Sequence, residues 1–394
     1  MAHFELSAFL SAAIGLLGLL SVCLLIFGRL GVGSIVAFLV AGIVVEAVRD
    51  IPAHSVEALR EFAELGVILL LFLIGLEIQP EQLRRLGRDA LSFGTPQIVL
   101  TALVVALYVW WRFAGWNTAV VLGLGFALSS TVVVVQLLAD RNELHSTWGQ
   151  KAFAILLAQD LAIVPLLLIV SLLAEAEAES SGGSSGLWLW AIVRAVLVLV
   201  GIGFVGRLIL PRILARVEGQ GNEPAFTCLI FLGVLTAALA AESVGLSMAL
   251  GTFLLGVTLA ISPSGHRIMA TVEPVKSVLL ALFFFSVGLS VDLQIVSSTV
   301  GPLLINTIAI LLLKGVILFG LALSLGVERY DALRLALALV QCGEFGFVLF
   351  GAAQAGGLMT AELSALASVL IILSMLVTPF LVRFGDHLVT RSLP

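Results

Sequence analysis

The sequence predicts an all-α membrane protein, and three observations support this fold class. Of the 394 residues, 60% are hydrophobic and only 11% are charged, whereas a soluble domain typically carries about 25% charged residues. The apolar residues form unbroken blocks of roughly 20, the length that a helix needs to cross a hydrocarbon core about 30 Å thick. A transmembrane β-barrel would instead alternate polar and apolar residues along each strand, and this chain does not.

Thirteen apolar segments have the length and composition of transmembrane helices, and the short breaks between them carry turn or charge signals. We therefore predict about 13 transmembrane helices. Their approximate limits are residues 6–27, 32–49, 58–78, 91–112, 116–139, 148–174, 187–210, 223–241, 246–262, 272–291, 298–325, 330–355 and 360–382.

The basic residues predict the orientation of these helices. If odd-numbered loops face the cytoplasm, fifteen of the 20 Lys and Arg residues lie on that side. The other side holds only Arg49, Arg60 and Arg112, and Arg194 and Lys314 fall within segments. Such a bias follows the positive-inside rule. We expect a multi-pass protein of the bacterial inner (cell) membrane, surrounded by lipid, with its N-terminus outside and its C-terminus in the cytoplasm.

Three short patterns recur at an almost constant offset of 213 or 214 residues, which indicates an internal repeat. The offset maps segment 2 onto segment 9, and these two segments enter the membrane from opposite sides. The two five-helix units are therefore predicted to be inverted repeats, an architecture typical of secondary transporters. The matched pairs are residues 37–42 with 251–256, 71–76 with 284–289, and 129–131 with 342–344.

This repeat divides a single membrane transport domain, residues 1–394, into three parts. Repeat A covers about 30–175, linker helices cover about 187–241, and repeat B covers about 246–385.

Segments 5 and 12 each contain a polar interruption at similar depth. Ser129, Ser130 and Thr131 precede four valines in segment 5, and Gly343 precedes Glu344 in segment 12. Because hydroxyl and β-branched residues weaken a continuous helix, we predict breaks at Ser129 and Gly343 where the two segments approach each other. Half-helix ends there would face an ion or a compensating charge. The alternative is close packing of small residues between continuous helices.

Asp160 is the leading candidate for an ion site, because a charged residue deep in a membrane segment is costly and is functional by default. Burial favours the neutral form of a carboxylate and a bound cation favours the charged form, so Asp160 can hold a proton or an alkali ion. Exchange of a cation for a proton requires that the two compete for one carboxylate in this way. Oxygen ligands suit hard cations, and we predict a monovalent cation at Asp160 with Gln159, Thr131 and Ser130. The alternative is an aspartate that only caps a broken helix.

Two further charges are predicted to compensate charges within the membrane. Lys314 would neutralise either Asp160 without a bound ion or the helix end near Glu344, and a structural role fits it equally. Glu344 would compensate the positive end of a half-helix, with direct ion binding as the weaker alternative. His266 and Glu273 fall in the predicted cytoplasmic loop before segment 10, a possible regulatory loop.

The motifs resemble the monovalent cation:proton antiporter-2 family, and within it the membrane domain of the Kef-type potassium/proton antiporters. The resemblance runs from about residue 15 to 385. It rests on residues 62–77, 127–131, 158–160, 249–256, 273–276, 282–289 and 343–345.

This resemblance implies an Na⁺/H⁺-antiporter-like fold with a core domain and a dimerisation domain, assembled as a homodimer. Asp160 matches the ion-binding aspartate of the family, and the pair Gln159-Asp160 is similar to that of its electroneutral branch. Kef-type proteins usually continue into a cytoplasmic nucleotide-binding regulatory domain. We expect this domain to be absent from the chain, which ends at Pro394, either as a natural short form or because the sequence is truncated and the domain is missing. The stretch from His266 to Pro274 also lacks most acidic residues of the Kef regulatory loop.

The predicted function is electroneutral exchange of K⁺ for H⁺ by alternating access. An Na⁺(Li⁺)/H⁺ antiporter on the same scaffold is the nearest alternative, and a gated cation channel or a Na⁺-coupled organic-anion symporter is more distant. An enzyme is not expected, because the sequence holds no catalytic constellation. We expect no cofactor and no nucleic-acid partner, with K⁺ (or Na⁺) and H⁺ as the transported ions.

Overall fold

The computed structural model describes residues 14, 18–27, 34–48, 65–66, 68–69, 71–76, 90–113, 115–143, 146–180, 188–289, 291 and 293–392. Every regular element within these residues is an α-helix or a π-helical turn. Residues 71–76 are helical, and π turns precede α3 and follow α7. The helices are α1 (Gly18–Phe27), α2 (Ser34–Val48), α3 (Thr95–Phe113), α4 (Trp116–Ala127), α5 (Thr131–Asp140), α6 (Thr147–Ser180), α7 (Trp188–Phe204), α8 (Leu210–Gly219), α9 (Glu223–Glu242), α10 (Met248–Ala260), α11 (Gly265–Leu289), α12 (Leu293–Ser324), α13 (Arg329–Leu339), α14 (Phe345–Ala355) and α15 (Ala361–Ser392).

Six helical stretches of this described part are long and apolar enough to cross a membrane, and five shorter apolar helices accompany them. The all-helical class is thereby confirmed. Parts of segments 1 and 3 lie outside the described residues, so the count of thirteen stays a prediction. The six stretches are Leu91–Arg112, Thr147–Glu177, Val193–Gly219, Glu223–Glu242, Val296–Ser324 and Ala361–Gly385.

The helices pack in two groups. In the first group, α3 packs on α4, α12 packs on α13, and α6 contacts both α13 and α14, with α15 alongside. In the second group, α2 packs on α11. Helices α7, α8 and α10 each pack on α9, and α7 also contacts α10. Burying apolar side chains between helices leaves the lipid-facing sides exposed, and many large apolar residues are exposed here.

Two close helix crossings in the second group depend on glycine. Gly42 of α2 faces Gly288 of α11, and Gly75 faces Gly256 of α10. A Cβ added to Gly42 would lie 2.2 Å from Phe285 O, inside the backbone of the facing helix. Small residues let membrane helices approach this closely without a gap.

The loop predicted around His266 and Glu273 is wrong, because both residues lie in helix α11 with exposed side chains. The apolar side chains of Ile268 and Val272, four residues apart, are fully buried against the second group. Arg267, near the start of this helix, forms salt bridges with Glu218 and Glu223. The spacing of Ile268 and Val272 is that of an amphipathic helix, and the charged residues on either side of this pair, Arg267 and Glu273, obscured it in the sequence.

Candidate ion-binding site

Two interrupted helices cross inside the first helix group. The interruption between α4 and α5 covers residues 128–130, and that between α13 and α14 covers residues 340–344. The backbone N–H of Gly343 donates to Leu128 O at 2.9 Å. A Cβ on Gly343 would lie 2.6 Å from the carbonyl carbon of Ser129, a distance that side chains essentially never adopt. The crossing therefore brings the backbones at Ser129 and Gly343 into direct contact.

Lys314 reaches this crossing from α12 and is fully buried. Its ammonium group donates to Phe126 O at 3.1 Å, Leu128 O at 2.7 Å and Gln341 O at 2.8 Å, which occupies all three of its N–H donors. The last carbonyls of a helix lack intrahelical partners and carry partial negative charge. Of the roles considered for Lys314, these contacts correspond to neutralising the helix ends.

The hydroxyl groups of the first interruption also bond backbone atoms. The Ser129 hydroxyl donates to Leu339 O at 2.7 Å, the last residue of α13. The Ser130 hydroxyl accepts from the Val133 N–H at 3.3 Å and so caps the start of α5. The amide of Gln341, a residue that the sequence analysis missed, donates to Ser130 O at 3.2 Å.

The two acidic residues of this region, Asp160 and Glu344, lie next to the N-terminal ends of half-helices. Asp160, half-buried on α6, accepts a hydrogen bond at 2.9 Å from the hydroxyl of Thr131, the first residue of α5. Glu344 is buried and directly precedes Phe345, where α14 begins. Since a helix N-terminus carries partial positive charge, each position favours a carboxylate. The crossing thus places the ammonium group of Lys314 at the carbonyl ends of the half-helices. It places the carboxyl groups of Asp160 and Glu344 at their amide ends.

Gln159 is fully buried, and its contacts differ from those of a cation ligand. Its Oε1 accepts the backbone N–H of Ser129 at 2.8 Å, and its Nε2 donates to Oε1 of Gln97 at 2.6 Å. The carbonyl oxygen that was expected to bind the ion therefore holds the helix break. Gln97 was also missed, because a glutamine near the predicted start of a segment is indistinguishable from a solvated helix end in the sequence.

A cavity of about 600 Å³ lies between the two helix groups. Its lining includes Ser171 of α6, Phe283 of α11, Phe347 of α14 and Ser364 of α15. At a rise of 1.5 Å per residue, Ser171 lies about 16 Å along α6 from Asp160. The cavity therefore lies toward the end of α6 that is remote from Thr147, and Asp160 is not among the residues that line it.

The contact at Gly343 yields a testable prediction. Gly343→Ala is expected to lower the thermal midpoint of unfolding by roughly 5 °C, because the new methyl group overlaps backbone atoms at a cost of about 1–3 kcal/mol. Thermal unfolding in detergent measures this shift. Gly320→Ala on α12 is the matched control, since a Cβ there meets no atom within 4 Å. Equal midpoints for both variants would contradict the crossing as described.

One protein family and two solved structures are similar to this chain. A family model described as sodium/hydrogen exchanger, transmembrane, matches residues 16–384. A structure of the sodium proton antiporter MjNhaP1 from Methanocaldococcus jannaschii at pH 8 is similar with a TM-score of 0.69 and 16% identity, covering 95% of this chain and 98% of that chain. An electron-microscopy structure of the same antiporter gives a TM-score of 0.62 and 15% identity, covering 99% of both chains.

The structural matches, at these identities, show that the fold is shared. The family match covers nearly the whole chain, including the interrupted helices and Asp160. This family consists of multi-pass membrane transporters, so its chemistry is ion translocation rather than enzymatic turnover. The chain belongs to the sodium/hydrogen exchanger family of cation:proton antiporters.

Proposed function

We propose that this protein exchanges one monovalent cation for one proton at Asp160. The observation that carries the proposal is the half-buried Asp160 carboxylate, bonded by Thr131 at the start of α5 and held on the membrane-length helix α6. A carboxylate in this position binds a proton or a cation in turn. One carboxylate that alternates between the two moves no net charge, so the exchange is electroneutral.

The surrounding residues divide into ligands and supports. Asp160 and the Thr131 hydroxyl supply oxygen atoms to the cation, with Ser130 next to them, as suits a hard alkali ion. Gln159 supports the helix break through Ser129 and contributes no ligand in this conformation. Lys314 stays bonded to carbonyls of both interrupted helices and balances their ends. Asp160 is then the group whose charge changes during the cycle.

K⁺ is the proposed cation, and Na⁺ or Li⁺ is the second candidate. The resemblance to Kef-type antiporters favours K⁺, whereas the structurally similar antiporter is named for sodium. Selectivity depends on the number of ligands and the size of the site, and both ions accept the same oxygen donors. A direct transport measurement is the means of separating them.

The two glycine crossings support the proposed inverted repeats. The repeat offset relates Gly42 to Gly256 and Gly75 to Gly288, so it exchanges the pair Gly42–Gly288 with the pair Gly75–Gly256. A pseudo-twofold relation between the two repeats has this consequence.

The proposed cycle is alternating access in a homodimer of the inner membrane, with the N-terminus outside. The first helix group would move as the core domain against the second, and the cavity between the groups would lead ions toward the site from the external side.

The proposal is tested in proteoliposomes with an imposed pH gradient that a pH-sensitive dye reports. K⁺, Na⁺ or Li⁺ is added to the wild-type protein, and valinomycin with K⁺ on both sides clamps the voltage in the Na⁺ and Li⁺ measurements. Collapse of the gradient by K⁺ supports K⁺/H⁺ exchange. A response to Na⁺ or Li⁺ alone identifies the second candidate, and no response to any cation contradicts the proposed function.

A further inference from the structure

We infer that Gln97 is a positioning residue of the ion site: its amide fixes Gln159 and the α4–α5 break so that Thr131 and Asp160 meet. This inference rests on the proposed antiport at Asp160. Gln97 lies on α3, outside both interrupted helices and outside the Gln159-Asp160 pair. Its side chain is fully buried in the first helix group.

Every polar function of the Gln97 amide is occupied. Its Nε2 donates to the Thr101 hydroxyl at 3.1 Å and to Ala127 O at 3.0 Å. Its Oε1 accepts from Nε2 of Gln159 at 2.6 Å. Ala127 is the last residue of α4, so its carbonyl is one of those that the helix itself leaves without a partner. Gln97 thus bonds the end of one half-helix and the residue next to Asp160.

The backbone determines the orientation of both amides. The Ser129 N–H can only donate, so Oε1 of Gln159 must face it and Nε2 of Gln159 must face Gln97. The Ala127 carbonyl can only accept, so Nε2 of Gln97 must face it and its Oε1 must face Gln159. These two constraints agree, and the network has a single arrangement. A side chain at position 97 without both a donor and an acceptor cannot complete it.

The network joins both partners of the ion-site contact. Gln159 directly precedes Asp160 on α6, and Ser129 lies two residues before Thr131 at the break. Holding Gln159 to Ser129 therefore sets the position of α6 against the start of α5. The 2.9 Å contact between Thr131 and Asp160 follows from that position. Because the network is uncharged, it positions the ligands without adding a second charge to the exchange.

Two variants of this residue test the inference in proteoliposomes. Gln97→Leu removes donor and acceptor, and we expect the apparent KM for the cation to rise about tenfold at every pH. Gln97→Glu completes the network only while its carboxyl is protonated, since an ionised carboxylate cannot donate to Ala127 O. Position 97 is fully buried, and burial favours the neutral form of a carboxyl group. We therefore expect the exchange rate of Gln97→Glu, relative to wild type, to fall about tenfold as the pH rises from about 6 to about 9.

The matched control is Thr307→Val, a buried hydroxyl on α12 that bonds Leu303 O within its own helix. It should keep the wild-type KM and pH profile. A structural role alone for Gln97 would lower the maximal rate and the thermal midpoint of both variants equally at all pH values, and that result would overturn the inference. Cation-dependent thermal stabilisation gives a second readout of binding, and we expect Gln97→Leu to need about tenfold more cation for the same shift.

Failure of this inference can be told apart from failure of the proposed function. If Asp160→Asn still exchanges cations for protons, the proposed function fails, and the positioning role fails with it. If Asp160→Asn is inactive while Gln97→Glu follows the wild-type pH profile, only the role of Gln97 is refuted.

Discussion

Asp160→Asn is expected to abolish cation-dependent proton movement in proteoliposomes, down to the level of liposomes without protein. Asparagine keeps the size of the side chain and still accepts the Thr131 hydroxyl bond. It carries no exchangeable proton and no negative charge, so it neither releases H⁺ nor attracts the cation. The measurement is collapse of the pH gradient after cation addition, at several pH values.

The control for this prediction is Glu362→Gln, which removes an exposed carboxylate in the first turn of α15. It should transport like the wild type. If Asp160→Asn retained cation flux that no longer depended on the pH gradient, a gated channel would explain this result better than an antiporter. Loss of flux in both variants would show that the assay reports a general effect of lost carboxylates.

Lys314→Met is expected to destabilise the protein strongly. Methionine matches the length of the lysine stem but removes three hydrogen bonds to the carbonyls of Phe126, Leu128 and Gln341. Leaving a buried polar group without a partner costs about 1–3 kcal/mol, and the two negative helix ends would then face each other. A decrease of roughly 5–10 °C in the thermal midpoint follows, measured in detergent with the recovery of monodisperse protein.

Lys151→Met is the matched control, because this lysine lies near the start of α6 with its amine 4.6 Å from the centre of the Phe93 ring. We expect a change in midpoint of about 1 °C or less. A Lys314→Met protein with the wild-type midpoint but without transport would reassign Lys314 from support of the helix ends to the transport reaction.

The interruptions at residues 128–130 and 340–344 could be anticipated from the sequence, since hydroxyl residues, glycines and a buried acid cannot all be accommodated in continuous apolar helices. The contacts at these interruptions could not be anticipated from the sequence. Neither Gln97 nor Gln341 stands out in its segment, and their roles depend on distances between residues such as Gln97 and Gln159 that are 62 positions apart. The helical start of α11 was missed because the burial of Ile268 and Val272 depends on partners in other helices.

The sequence by itself determined the class of this protein, the long apolar helices and the acids and lysine within them, because the cost of burying charge in lipid limits where such residues occur. The tertiary structure alone decided which partners those groups have. Gln159 changes from an expected ligand to a support of the break, and Lys314 is directed to three carbonyl groups. The physical reason is that a hydrogen bond needs a partner within about 3 Å, and only the crossing of the half-helices brings those atoms together.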